Sequence, residues 1–144
     1  MSAGASVDPR GPRFAAAVTT VVLAVVLVTE WWPLLAAQTV VFALGAFVGL
    51  SAAPYSMLYR VLVAPRLTPT SEREATAPLR FAQAVGFVFA LVGTVGFVTE
   101  LTVLGLVATA FALFAAFLNA AFDFCLGCEV YLLVRRVTPR TKRA

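Results

Sequence analysis

The chain has 144 residues, of which 61% are hydrophobic and only 12% charged, with a mean hydropathy of +0.94 and a formal net charge of +4. A soluble domain runs nearer ~45–50% apolar and ~25% charged, so these values describe one membrane domain, too short for a second folded unit. They exclude a nucleic-acid footprint as well, because the basic residues sit at the ends of apolar stretches, where they meet lipid headgroups.

All eleven Lys and Arg fall into three clusters: Arg10 and Arg13; Arg60, Arg66, Arg73 and Arg80; and Arg135, Arg136, Arg140, Lys142 and Arg143. The connections around Glu30 and Glu100 carry no positive charge. Positive charge stays cytoplasmic, so the pattern predicts four spans in a plasma-membrane protein with both termini inside.

The polar start leads straight into the first span, about 14–30, with no cleavage pattern or lipid-attachment box, so it should be retained as a signal anchor. Trp31 and Trp32 form an outer aromatic belt, and Pro33 opens the second span, about 34–53. The 54–80 stretch is a cytoplasmic connection, with an interfacial piece carrying Tyr55, Tyr59 and Arg60 and a weak capping signal from Ser71 to Glu74. The third span covers about 81–99 and the fourth about 102–122. The glycines at 45, 49, 86, 93 and 96 suit close helix packing. The tail, 123–144, includes an amphipathic segment from Glu129 that should lie along the headgroups.

The sequence repeats itself. Arg13-Phe14-Ala15 returns as Arg80-Phe81-Ala82, Val28-Thr29-Glu30 as Val98-Thr99-Glu100, and Phe42-Ala43-Leu44 as Phe111-Ala112-Leu113. The expected fold is therefore an all-α four-helix bundle made of two tandem, parallel two-helix hairpins plus a short C-terminal interfacial helix.

Cys125-Leu126-Gly127-Cys128 has no counterpart in the first repeat. Such a pair can close a disulfide, bind a soft metal, act as attacking and resolving thiols, or simply pack a helix end. With no His and no further Cys, a four-ligand zinc site of Cys and His cannot be completed in one chain. No cofactor is indicated. A purely structural disulfide is disfavoured in the cytoplasm, which leaves a redox or sulfur-carrying dithiol in front. If the helix is continuous here, Cys125, Cys128 and Glu129 share a face and Asn119, Asp123 and Gly127 lie opposite. If Gly127 breaks it, Cys128 sits at a helix N-terminus, where thiol pKa falls. Glu129 and Asp123 are the proton-handling candidates.

Val7-Asp8-Pro9-Arg10, the stretch from Pro54-Tyr55 to Arg60, and above all Phe124-Cys125-Leu126-Gly127-Cys128-Glu129 with Tyr131 resemble the bacterial membrane family filed as domain of unknown function 4395, over about 8–137. That family has no established reaction. Its members often lie near thioredoxin-like and rhodanese-like sulfurtransferase genes in actinobacteria, which the Ala, Val and Arg richness also suits. The resemblance implies thiol or sulfur traffic with such a partner. The other function classes are a membrane anchor recruiting a cytoplasmic partner, and a small homo-oligomeric transporter of a sulfur compound.

Overall fold

The computed structural model describes residues 6–7, 10–68 and 74–137. Ser71 to Arg73, and the tail with Arg140, Lys142 and Arg143, lie outside the described residues.

The molecule is built from helices: α1 (Arg10–Thr29), α2 (Trp32–Ala43), α3 (Pro54–Leu58), α4 (Thr76–Val98), α5 (Thr102–Phe122) and α6 (Leu126–Val137). The backbones of β1 (Ser6–Val7) and β2 (Glu74–Ala75) add a two-residue antiparallel pairing that ties the start of the chain to the entry of α4. α1, α4 and α5 are each long and apolar enough to cross a membrane, which marks a membrane protein. Their outer faces carry exposed Val21, Val25, Val88, Val95, Val103 and Val107, a surface suited to lipid.

The second apolar element is shorter than the sequence suggests. Helix α2 widens into a π-turn over Leu44–Val48 and stops at Gly49, whose amide bonds the Leu44 carbonyl at 2.9 Å. Gly49 sits at φ 146, with open space around the position a side chain would take. Of the sequence glycines, it alone terminates a helix rather than packing one, so the continuous helix expected to reach residue 53 ends at Val48. Trp32–Val48 is an apolar helix of fewer than 18 residues, or about 25 Å at ~1.5 Å per residue.

The turns after α1 and α4 share one construction. Glu30 and Glu100 both adopt positive φ, 55° and 67°. One residue earlier, Thr29 and Thr99 return their hydroxyls to the Val25 and Val95 carbonyls at 2.8 and 2.7 Å. The hydroxyl is a second donor to that carbonyl after α4, where Val95 also accepts the Thr99 amide at 2.9 Å.

The seams are made by side chains seated in glycine gaps. A Cβ at Gly93 would lie 2.9 Å from Leu35 of α2, and one at Gly86 would lie 2.7 Å from the Phe42 ring. In the reverse direction, Gln83 of α4 fills the gap at Gly45. Between α4 and α5 the backbones themselves meet: a Cβ at Gly96 would lie 2.7 Å from the Gly105 nitrogen. Helix α1 packs chiefly on α5, and α4 on both α2 and α5, while α1 and α2 touch much less. The fully buried centre is Leu23 and Val26 of α1, Leu35 of α2 and Ala90 of α4.

Two arginines close helix ends across the bundle. Arg80, at the start of α4, donates Nε and Nη2 to the Ala46 carbonyl, at 3.1 and 2.9 Å, where α2 is breaking. Arg13, at the start of α1, donates Nη2 to the Ala120 carbonyl at 3.1 Å, near the end of α5. A cation on the terminal carbonyls of a helix is favoured by the helix dipole as well as by the hydrogen bond.

Candidate functional site

The apolar run of α5 stops at Phe122. Asp123 takes a left-handed conformation, φ 55 and ψ 33, and the Phe124 amide bonds back to the Leu118 carbonyl at 3.2 Å. Asp tolerates this conformation better than most residues because its short side chain can satisfy local backbone groups. The continuous helix considered from sequence is therefore absent, and the break comes before the cysteines rather than at Gly127.

That break makes Cys125 the residue before α6. Its carbonyl accepts the Glu129 amide at 3.0 Å, the first bond of the helix. Its Sγ accepts the Cys128 amide at 3.1 Å, in the manner of an N-cap side chain. Cys125 and Cys128 form a disulfide, S–S 2.12 Å with Cα atoms 5.1 Å apart, and both are half-buried. The pair thus occupies an N-terminal first turn, where anionic sulfur is stabilised.

The other sequence candidates separate. Glu129 is exposed in the first turn of α6, next to Cys128. Arg135 donates to the Tyr131 hydroxyl at 3.0 Å and lies over its ring. Asp123 turns to α1: its Oδ1 is 3.7 Å from Nε of Arg13, with the two side chains 62% and 44% exposed. At that exposure the ion pair contributes little, roughly 0–1 kcal/mol. Among the described residues no group of three His, Cys, Asp or Glu gathers to hold a metal ion.

Gly127 has a role that sequence reasoning missed. A Cβ there would lie 2.6 Å from Cβ and 2.7 Å from Cα of Ala82. The glycine lets the dithiol turn press flush against α4, and the Phe81 and Tyr131 rings, 5.5 Å apart, continue that contact.

A cavity of about 560 Å³ lies inside the bundle, and Cys125, Leu126 and Gly127 form part of its wall. Its body is apolar, with Phe42, Phe89 and Ala112 among the lining side chains. Phe111 and Phe114 of α5 also line it and are 59% and 55% exposed, as is Val130 of α6 at 42%. Gln83, Asn119 and Tyr55 add polar groups. The Tyr55 hydroxyl donates to Oε1 of Gln38 at 2.6 Å. Burial pushes this phenol above its ordinary value of 10.0, which keeps it a neutral donor. Gln38 is 1% exposed, and its Nε2 is without a hydrogen-bond partner among the described residues.

Comparison with known proteins gives a family and no activity. Residues 7–136 match the family described as domain of unknown function 4395. The chain belongs to that family, as the Cys-x-Gly-Cys element and its flanks indicated. No curated protein and no solved structure matches the chain.

Proposed function

We propose that this member of the family is a thiol–disulfide or sulfur-transfer protein of the cell membrane. Its Cys125–Cys128 pair faces the cytoplasm and works with a soluble thioredoxin-like or rhodanese-like partner. The observation that carries the reading is the position of the pair at the start of α6, with the Cys128 amide on Cys125 Sγ at 3.1 Å. A helix N-terminus favours the thiolate, the form that attacks and leaves in exchange.

The chemistry is balanced within the two proteins. An incoming partner thiolate attacks one sulfur of the disulfide, the S–S bond breaks, and the other cysteine leaves as a thiolate. The partner's second thiol then attacks the partner's own first sulfur, which closes a disulfide in the partner and releases the attacked cysteine of this chain as the second thiol. Two electrons have entered this chain, and the partner leaves oxidised. Run in reverse, the same steps reduce the partner. The α6 turn stabilises the thiolate that departs, and Glu129 and Asp123 are the nearest carboxylates to take or return the proton.

The topology behind this reading has four spans, with Trp32–Val48 as the short one and the arginine-bearing end inside. The matched turns at Glu30 and Glu100 and the two crosswise arginine caps support a duplicated hairpin.

A maleimide gel shift across a series of dithiothreitol ratios, on protein in membranes, tests it. One reversible two-electron transition, with impermeant reagent labelling from the cytoplasmic side, is the expected result. Thiols that never oxidise, or that label only from outside, overturn it. The exposed Arg66, Arg135 and Arg136 favour the second reading, a membrane anchor. An anchor tolerates Cys125→Ser with Cys128→Ser, whereas an exchange protein does not.

A further inference from the structure

We propose that the cavity walled by Cys125 receives the ring of a quinone from the bilayer, and that this quinone reoxidises the dithiol. The proposal rests on the thiol-exchange reading and names its electron acceptor. The disulfide turn forms part of the cavity wall, and Phe111 and Phe114, exposed on a helix of membrane-crossing length, form another part. A ligand that reaches Cys125 by this route comes out of lipid. The volume, about 560 Å³, falls within the range of roughly 300–1,000 Å³ in which small-molecule sites occur.

The polar groups choose among lipid-soluble ligands. The Gln83 and Asn119 amides line the cavity and are committed to no hydrogen bond among the described residues. The Tyr55 hydroxyl, which also lines the cavity, is already committed to Gln38. A bare acyl chain seated there would cover the Gln83 and Asn119 amides without answering them, which is costly. A flat apolar ring carrying two carbonyl acceptors suits the Phe42 and Phe89 walls and offers acceptors to the amides.

The chemistry closes. The reduced Cys125 and Cys128 lose two thiol protons and two electrons and form one S–S bond. The quinone gains both and leaves as the quinol, its two carbonyl oxygens becoming hydroxyls. A dithiol reduced or oxidised only by soluble thiols has no use for an apolar cavity that joins it to a lipid-facing helix, whereas a lipid-borne acceptor needs one.

The probe is decyl-ubiquinone, added to the full chain in nanodiscs. Quinol formation is followed by absorbance, binding by calorimetry, and the dithiol is titrated separately with dithiothreitol. Expected results are one quinol per disulfide formed, saturation with quinone, and at least a tenfold slower rate in Ala115→Trp, which fills the cavity. Gln83→Leu with Asn119→Leu weakens quinone binding. Both variants keep the dithiothreitol midpoint, which shows that the fold and the disulfide turn survive. Cys125→Ser with Cys128→Ser still binds decyl-ubiquinone but forms no quinol. If the dithiol titrates normally yet quinone neither binds nor oxidises it, or if Ala115→Trp reacts at the original rate, the quinone site is wrong and thiol exchange stands. If quinone binds but the dithiol is never oxidised by it, the electron route is overturned. If the dithiol fails to titrate at all, thiol exchange itself falls.

Discussion

The two helix–turn–helix halves of the bundle turn over in the same way and pack in opposite ways. Counting from the matched turns at Glu30 and Glu100, the same positions hold Val26 and Leu35 in the first half and Gly96 and Gly105 in the second. In the second half the glycines let the α4 and α5 backbones touch. In the first, Val26 and Leu35 are fully buried, and Leu35 reaches into the gap at Gly93 of α4. The second half is therefore a clasped pair, and the first is spread across it. Spreading keeps α1 and α2 apart and leaves the space that becomes the cavity next to the disulfide. The exits differ too. Ala53 precedes α3 without a side-chain cap, while Cys125 precedes α6 and caps it with sulfur.

The largest effect should come from removing what holds the spread half in place. Leu35→Ala vacates the Gly93 gap. Core truncations of this kind cost about 2–5 kcal/mol, and the low end applies here because lipid tails are as apolar as Leu. A fall in the detergent melting temperature larger than for any change on α1's outer face checks it. An unchanged melting temperature would mean that α2 is held by something else. Arg80→Gln comes next. It leaves the Ala46 carbonyl without its charged donor, and hydrogen bonds to charged groups contribute roughly 1.5–3 kcal/mol. Arg13→Gln, at the exposed counterpart, should cost less than about 1 kcal/mol. Equal losses measured side by side would erase the distinction between the two helix ends.

Gly96→Ala attacks the clasp. The added methyl meets the Gly105 backbone, and overpacking of this kind costs roughly 1–3 kcal/mol. Val26→Ala, at the matching place in the first half, should leave α4 and α5 clasped. Disulfide cross-linking between cysteines introduced into those two helices reads the difference directly. The smallest stability effect belongs to Asp123→Asn, which keeps a residue suited to φ 55 and removes only an exposed ion pair, at less than about 1 kcal/mol. Its thiol-exchange rate is the sharper readout. A several-fold drop assigns Asp123 to proton handling, and no change leaves that role to Glu129.

Much of this plan was legible because charged and aromatic residues punctuate an apolar chain. Glu30-Trp31-Trp32-Pro33 and Glu100 mark the turns, and the small residues at 45, 86, 93 and 96 mark the seams. The end of the fourth span at 122 was legible, but the left-handed turn at Asp123 was hidden, since Phe122, Phe124 and Leu126 continue the apolar run and only backbone conformation distinguishes a left-handed Asp from a helical one. Gly49 read as one more packing glycine, although its positive φ ends α2 early. The cavity was illegible for a different reason. Its walls come from residues far apart in sequence, such as Thr19, Gln83, Asn119 and Cys125, and no local pattern announces an empty volume. Gly127 was singled out for backbone freedom, but its contact with Ala82 lies some forty-five positions away in the chain.

The tryptophans carry an optical consequence. Trp31 and Trp32 are the chain's only two, both exposed, and both at the Glu30 end of α1. Helix α1 spans 20 residues, about 30 Å, and its far end is where Arg13 meets Asp123, beside the disulfide. All indole emission thus originates at one end of α1, beyond contact quenching by the sulfurs near the other. Intrinsic fluorescence will be silent to the oxidation state of the cysteines. It will respond instead to brominated lipids, and so measures how deeply the Glu30 end sits in the bilayer.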